Sequence, residues 1–271
     1  MHDVARRCFL TAGAGLAAAL VLTSASRLAA QGAPVSAGPA DPKLIEDLVA
    51  ANRILVEQGV LDGYGHVSVR HDRDASRYLM SRSIAPELVT VADVLEYDLD
   101  SVPVDPRGRT SYLERFIHGE IYKARPDVMA VVHSHSPSVI PFGATGIPLR
   151  PLYHMSAFLV GGAPVFDIRA ASGGMTDMLV KTPVLGAALA RTLGRAPVTL
   201  MRGHGAVVVA DTIPNVVGRS IYLDLNARMQ MQALALGGKI TYIDPEEARK
   251  YAATDNYSRA WELWKRKAIT K

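Results

Sequence analysis

His133 and His135 stand one residue apart in VMAVVHSHSP, behind an apolar, Val-rich stretch. Such a stretch reads as a buried strand. Strand side chains alternate faces, so the two imidazoles point one way while Val132 and Ser134 point the other. Two imidazoles on one face of a rigid strand are part of a tripod for a divalent cation. A third histidine, His204, lies in TLMRGHGAVVVA, again at the end of an apolar segment. Three His ligands with a fourth position open are the pattern of a catalytic metal site, not a structural one.

Several elements must hold these residues in place. DPKLIEDLVAANRILVEQGV spaces Leu44, Ile45, Leu48, Val49 and Leu55 as a helical stripe, with Pro42 suited to the first turn. GYGHVSVRHD reads as a Gly-rich turn and an alternating strand, with Val67 and Val69 on one face and Ser68 and Arg70 on the other. SRYLMSRS and VLEYDLDS read as two further strands. SYLERFIHGEIYKARPDV predicts a helix with Leu113, Ile117 and Ile121 on one side, leading into the histidine strand. PLYHMSAFLVGGAPVFDI mixes a loop, a short helix and a strand. TPVLGAALARTLGRAP predicts a helix, and VTLMRGHGAVVVAD a tight hairpin turning at Gly203 to Gly205. IPNVVGRSIYLDLNARMQMQALALGG is a long helix, and a final helix carries Tyr251, Trp261 and Trp264. Strands joined by short turns predict an α/β chain with a central, mainly antiparallel sheet flanked by helices, not a doubly wound parallel sheet.

The N-terminus reads as a separate segment. Arg6 and Arg7 precede an apolar stretch, and SRLAAQGAP offers small residues for cleavage near Ala30. Residues 1–30 are therefore expected to be a twin-arginine signal, which sends the folded protein to the periplasm. The apolar core, from about Thr11 to Leu22, falls short of the roughly 20 residues of a membrane span. No membrane association is expected after cleavage. Residues 31–42, beginning QGAPVSAGPA, read as a flexible linker before a domain over 43–271. The single cysteine, Cys8, lies in the expected signal, so the mature chain has neither a disulfide nor a thiolate ligand. The net charge is +4, with no basic stripe and no aromatic interleaving, so nucleic-acid binding has no support.

AVVHSHSP, MRGHGAVVV, the helix with Glu114 and the turn GYGHVSVR together resemble the class II aldolase/adducin family. The resemblance spans roughly residues 43–240. It implies a three-layer αβα fold and one divalent metal ion on His133, His135 and His204. Zinc comes first, with manganese, cobalt or iron as alternatives. It places the catalytic glutamate of the aldolases at Glu114, which binds the metal or exchanges a proton with the substrate. SYLE is also a capping-box pattern, in which Ser111 caps a helix and Glu114 reaches back. The family also implies a small-molecule substrate and a homotetramer with sites at subunit interfaces.

The departures from the aldolase pattern point to the substrate. The aldolases hold a phosphate with an Asn, a Thr-Gly pair and two serines. Those positions are His66, Arg82–Ser83 and Tyr112–Leu113 here. Tyr and Leu in place of two hydroxyl donors do not cradle a phosphate dianion. An Arg offers a bidentate fork to a planar carboxylate. Arg82, Ser83 and Tyr112 are therefore the expected substrate contacts. Glu114, His66 and His154 are the candidates for moving protons. His118 is read as packing or support, and His71 and His2 as uninvolved.

The resulting expectation is a metal-dependent carbon–carbon lyase. It would decarboxylate a hydroxylated aromatic or enol-like acid through a metal-stabilised enolate, as the family's hydroxyaromatic-acid decarboxylases do. The alternatives are an aldolase for a sugar-type ketol, an iron-dependent oxygenase, and a metal- or ligand-binding protein without chemistry.

Overall fold

The computed structural model describes residues 34–252 and 257–269. The expected signal, residues 1–30, and the first residues of the expected linker lie outside them. The strands are β1 (His66–Arg70), β2 (Arg77–Ser81), β3 (Val94–Asp98), β4 (Ala130–Ser134), β5 (Val165–Phe166), β6 (Val198–Met201) and β7 (Gly205–Ala210). They form one sheet in the order β3-β2-β1-β4-β7-β6-β5. Every pairing is antiparallel except β5 with β6. The helices are α1 (Pro42–Glu57), α2 (Phe116–Ala124), α3 (Ile140–Thr145), α4 (Ile168–Ser172), α5 (Pro183–Leu193), α6 (Ile213–Ala235), α7 (Pro245–Ala252) and α8 (Ser258–Ile269). None of the described helices is long and apolar enough to cross a membrane.

Strand alternation divides the side chains between two cores. Val67, Val69, Ala130, Val132 and Val208 pack with Leu48 and Ile54 of α1 and Val217 and Ile221 of α6. Tyr78, Tyr97, Val131, Val207 and Val209 face the other way, onto Ile117 and Ile121 of α2 and Leu189 of α5. The result is the expected three-layer αβα arrangement. Each fully buried Val, Leu or Ile contributes roughly 1.5–3 kcal/mol relative to exposure. A one-residue slip would turn every one of them to the wrong face. The two cores therefore lock the register that sets His66 opposite His133 and Ser68 opposite Val131. His66, Ser68 and His133 share the α2 side of the sheet.

Helix starts are set locally. Asp41 accepts from the Lys43 N–H ahead of Pro42, whose missing N–H costs nothing in a first turn. Thr182 before Pro183 and Thr212 before Ile213 cap α5 and α6 in the same way.

Three expectations need correction. The helix expected from residue 111 begins at Phe116, and residues 113–115 form a 3-10 turn in which Glu114 sits at φ −90°, ψ 17°. Neither capping-box bond forms, because the Glu114 carboxylate accepts from the distant Val180 N–H instead. Leu113 is consequently 61% exposed and leaves the core to Ile117 and Ile121. The single final helix is two, with Tyr251 on α7 and Trp261 and Trp264 on α8. Residues 35–37 of the expected linker bond to the sheet. Glu96 accepts from the Ala37 N–H at 2.8 Å and from Ser36 Oγ at 2.6 Å, and Arg77 donates to the Val35 carbonyl.

Candidate active site

β4 delivers His133 from its interior and His135 just past its end, and the 202–204 turn between β6 and β7 delivers His204. Gly203 takes φ +64° in that turn, a conformation glycine adopts without strain. A Cβ at Gly205 would collide with the Ser134 carbonyl, so glycine lets β7 close against β4 beside the site. His135 Nε2 lies 3.1 Å from both His133 Nε2 and His204 Nε2. Glu114 Oε2 lies 3.5 Å from His133 Nε2 and 3.4 Å from His204 Nε2. One donor atom from each of the four residues falls within 4.8 Å of the others.

The opposite ring nitrogens explain why these atoms converge. His133 Nδ1 lies 3.2 Å from the Ala206 carbonyl, and His204 Nδ1 lies 3.0 Å from the Met178 carbonyl. A carbonyl only accepts, so both Nδ1 atoms carry the proton. His135 Nδ1 lies 3.2 Å from the Asp62 carboxylate, which fixes the same tautomer. All three Nε2 atoms therefore present lone pairs to one point, where they repel one another unless a cation sits between them. Ligand atoms on bonds of about 2.0–2.2 Å in a tetrahedral site stand about 3.3–3.6 Å apart. The four separations of 3.1 to 3.5 Å lie close to that range, as suits a divalent cation held by three imidazoles and one carboxylate.

Burial pushes the Glu114 carboxyl up, but the adjacent His133 and His204 outweigh it and hold it below the ordinary carboxylate range. Burial pushes His204 down, and Glu114 reverses that, leaving it raised. His135 is lowered by burial and by His133, against the pull of Asp62.

A cavity of about 420 Å³ opens above this cluster. Glu114, His135, His66 and Ser83 line it, and Tyr64, Tyr112, Leu113 and Leu179 supply its apolar walls. His66 is 2% exposed and its ring sits 4.6 Å from Tyr112 and 5.1 Å from His133. Burial, His118 and His133 hold His66 well below the usual imidazole range, so it is neutral.

Of the expected contacts, Ser83 and Tyr112 line the cavity, and Arg82 and His154 do not. Arg82 does not line the cavity, because its Nε is 2.6 Å from Asp93 Oδ1 in an ion pair. Tyr112 lines it with its ring alone, since its hydroxyl bonds the Ile84 carbonyl and lies 3.2 Å from Ser81 Oγ. His154 is exposed, sets its ring edge-on to Tyr251 of α7, and does not line the cavity. Its segment is drawn away by Asn226, which accepts from the Leu152 N–H and from Ser156 Oγ.

Two contributors were not evident from the sequence. Asp62 accepts from the Tyr64 and Gly65 N–H groups and so aims its second oxygen at His135. The aspartate two residues before Tyr64 in DGYG is a turn signal that could have marked it. The 178–180 segment supplies the Met178 carbonyl, from a residue at φ +67°, and the Val180 N–H, which donates to Glu114 Oε1 at 2.8 Å. A non-glycine residue at positive φ persists only where its surroundings enforce it. No local signal announces that segment.

Comparison with known proteins completes the picture. The model of the class II aldolase and adducin N-terminal domain matches residues 46–231. Decarboxylase tropJ of Talaromyces stipitatus is 37% identical over 251 residues, covering 83% of this chain and 94% of the relative. The 3,4-dihydroxyphthalate decarboxylase of Arthrobacter keyseri is 29% identical over 233 residues, covering 80% and 90%. Among solved structures, L-fuculose 1-phosphate aldolase from Glaciozyma antarctica superposes with a TM-score of 0.67 at 24% identity, covering 86% of this chain and 92% of its own. That last likeness is one of fold. The chain belongs to the class II aldolase and adducin family and is an enzyme of the lyase type.

Proposed function

We propose that this protein is a divalent-metal-dependent decarboxylase of a hydroxylated aromatic or enol-like carboxylic acid. The observation that carries the reading is a donor set of three Nε2 lone pairs and one carboxylate at the foot of a cavity with flat, apolar walls. Such walls suit an aromatic ring and offer little to a phosphate. The decarboxylase relatives support the same choice.

His133, His135, His204 and Glu114 would hold the cation, with zinc first and manganese, cobalt or iron as alternatives. A bound divalent cation supplies Lewis acidity for the electron pair left when the carboxylate departs. Tyr112 and Leu179 flank the ring and exclude water. The Val180 N–H keeps Glu114 oriented. As the C–C bond breaks, CO2 leaves and the electron pair stays on the ring carbon, which then takes a proton. Glu114 and His66 line the cavity and are the carboxyl and imidazole placed to move that proton.

The test is metal analysis of the purified protein, followed by CO2 release from 3,4-dihydroxyphthalate and other hydroxyaromatic acids. Aldehyde release from sugar phosphates is run beside it. CO2 release that depends on metal supports the reading; aldehyde release without CO2 makes the protein an aldolase; metal without either makes it a binding protein. Glu114→Gln is expected to retain metal and lose turnover by about 10²–10⁴-fold. We propose in addition that residues 1–30 direct twin-arginine export to the periplasm and that the mature protein is a homotetramer. Mass measurement of the mature N-terminus and light scattering test these two readings.

A further inference from the structure

Behind His66 lies a hydrogen-bonded chain that the chemistry above does not use. His66 Nδ1 is 2.7 Å from His118 Nε2, and His118 Nδ1 is 2.5 Å from Ser68 Oγ. Ser68 Oγ is 2.8 Å from the Tyr122 hydroxyl. All four residues are buried, at 2% exposure or less. The chain can run in two directions, and its far end decides which. Among the described residues Tyr122 has one other acceptor, the Met129 carbonyl, at 3.5 Å. That is the outer limit of a hydrogen bond, whereas 2.8 Å is the ordinary O–H···O distance. Tyr122 therefore donates to Ser68, Ser68 donates to His118 Nδ1, and His118 donates from Nε2 to His66 Nδ1. The one proton of a neutral His66 is left on Nε2, which bonds no described protein atom and belongs to a ring lining the cavity.

Of the other polar side chains nearby, Arg82 is paired with Asp93 and the Tyr112 hydroxyl is bonded to Ile84, while Ser83 and Tyr64 line the cavity together with His66. A carboxylate entering among apolar walls must still find donors, since a buried charge without them is costly. We propose that Tyr122, Ser68 and His118 are positioning residues that fix His66 as a neutral Nε2–H donor to a carboxylate oxygen of the substrate. This rests on the decarboxylase reading for the identity of the ligand, but the direction of the chain does not.

The test is ¹⁵N NMR of the histidine rings in zinc-loaded protein. His66 is expected to carry its proton on Nε2. His118→Gln, whose amide still donates, should preserve that tautomer and leave KM within about threefold of the starting value. His118→Glu, which only accepts, should move the proton to Nδ1 and raise KM by about tenfold or more, with a smaller change in kcat. Adding 3,4-dihydroxybenzoate should shift the His66 Nε2 resonance, and catechol, which lacks the carboxylate, should not. An Nδ1–H His66 in the unaltered protein overturns the proposal, and this measurement stands even if neither variant folds. Equal shifts with both probes also overturn it. Absence of CO2 release alongside an Nε2–H His66 and a carboxylate-specific shift would remove the decarboxylase reading and leave the donor assignment in place.

Discussion

Two groups of histidines lie within a few ångströms of each other on the same side of the sheet, and they are wired in opposite ways. His133, His135 and His204 each spend Nδ1 on an acceptor outside the group: the Ala206 carbonyl, Asp62 and the Met178 carbonyl. Their Nε2 atoms are left to converge. His66 and His118 spend nitrogens on each other and on Ser68. The residue type is the same in both groups. A metal site arises where each ring is tied from behind by a group that cannot give its proton back. A fixed donor arises where rings are tied to one another and the chain ends in a hydroxyl.

The largest expected effect breaks the first group at its core. His204→Ala should abolish stoichiometric metal content and lower turnover by at least about 1,000-fold, as read by elemental analysis and CO2 release. If the variant keeps metal and full activity, the converging donors are not the site. Asp62→Asn tests the tie behind His135. It should weaken metal affinity or activity by roughly 10–100-fold, measured by competition with a chelator.

The second group is sharpened by pH. His66 and His118 are held neutral in the folded protein, with His118 lowered to about 3. The unfolded chain therefore binds more protons below the ordinary imidazole value of 6.5. Their contribution to stability is complete above 6.5 and is lost as pH falls toward about 3. The slope is up to about 1.4 kcal/mol per pH unit for each ring. Urea denaturation between about pH 7 and pH 5 should show a shallower fall for His118→Gln than for the unaltered chain, and equal slopes would contradict the buried neutral pair. The smallest effect is expected for Arg82→Ala, which should change KM less than about threefold. Its guanidinium serves a partly exposed ion pair with Asp93 and not the cavity. A tenfold rise would return Arg82 to the substrate.

Much of the fold was legible because it rests on short-range patterns. Val67 and Val69 against Ser68 and Arg70 gave a strand and both its faces, and Pro42, Pro183 and Ile213 mark helix starts that a local cap explains. The final helix was not resolved into α7 and α8, since both share one amphipathic composition. SYLE misled for a physical reason. A capping box competes with any better donor, and the Val180 N–H, 66 residues away, is one. Arg82 differs in the same way: its type suits a substrate carboxylate, but Asp93 already engages its guanidinium, while Tyr112 reaches the cavity with its ring.

The sequence by itself determined which atoms can ligate, donate or accept, and on which strand face they lie, because side-chain type is covalent and strand period is two. That was enough to single out His133, His135 and His204, while Glu114 came from the resemblance to the family. Only the tertiary structure decided which of those atoms remain available. Hydrogen-bond partners such as Asp62, Met178, Val180 and Asp93 arrive from other segments. A polar group already bonded within the fold has little left to offer a ligand.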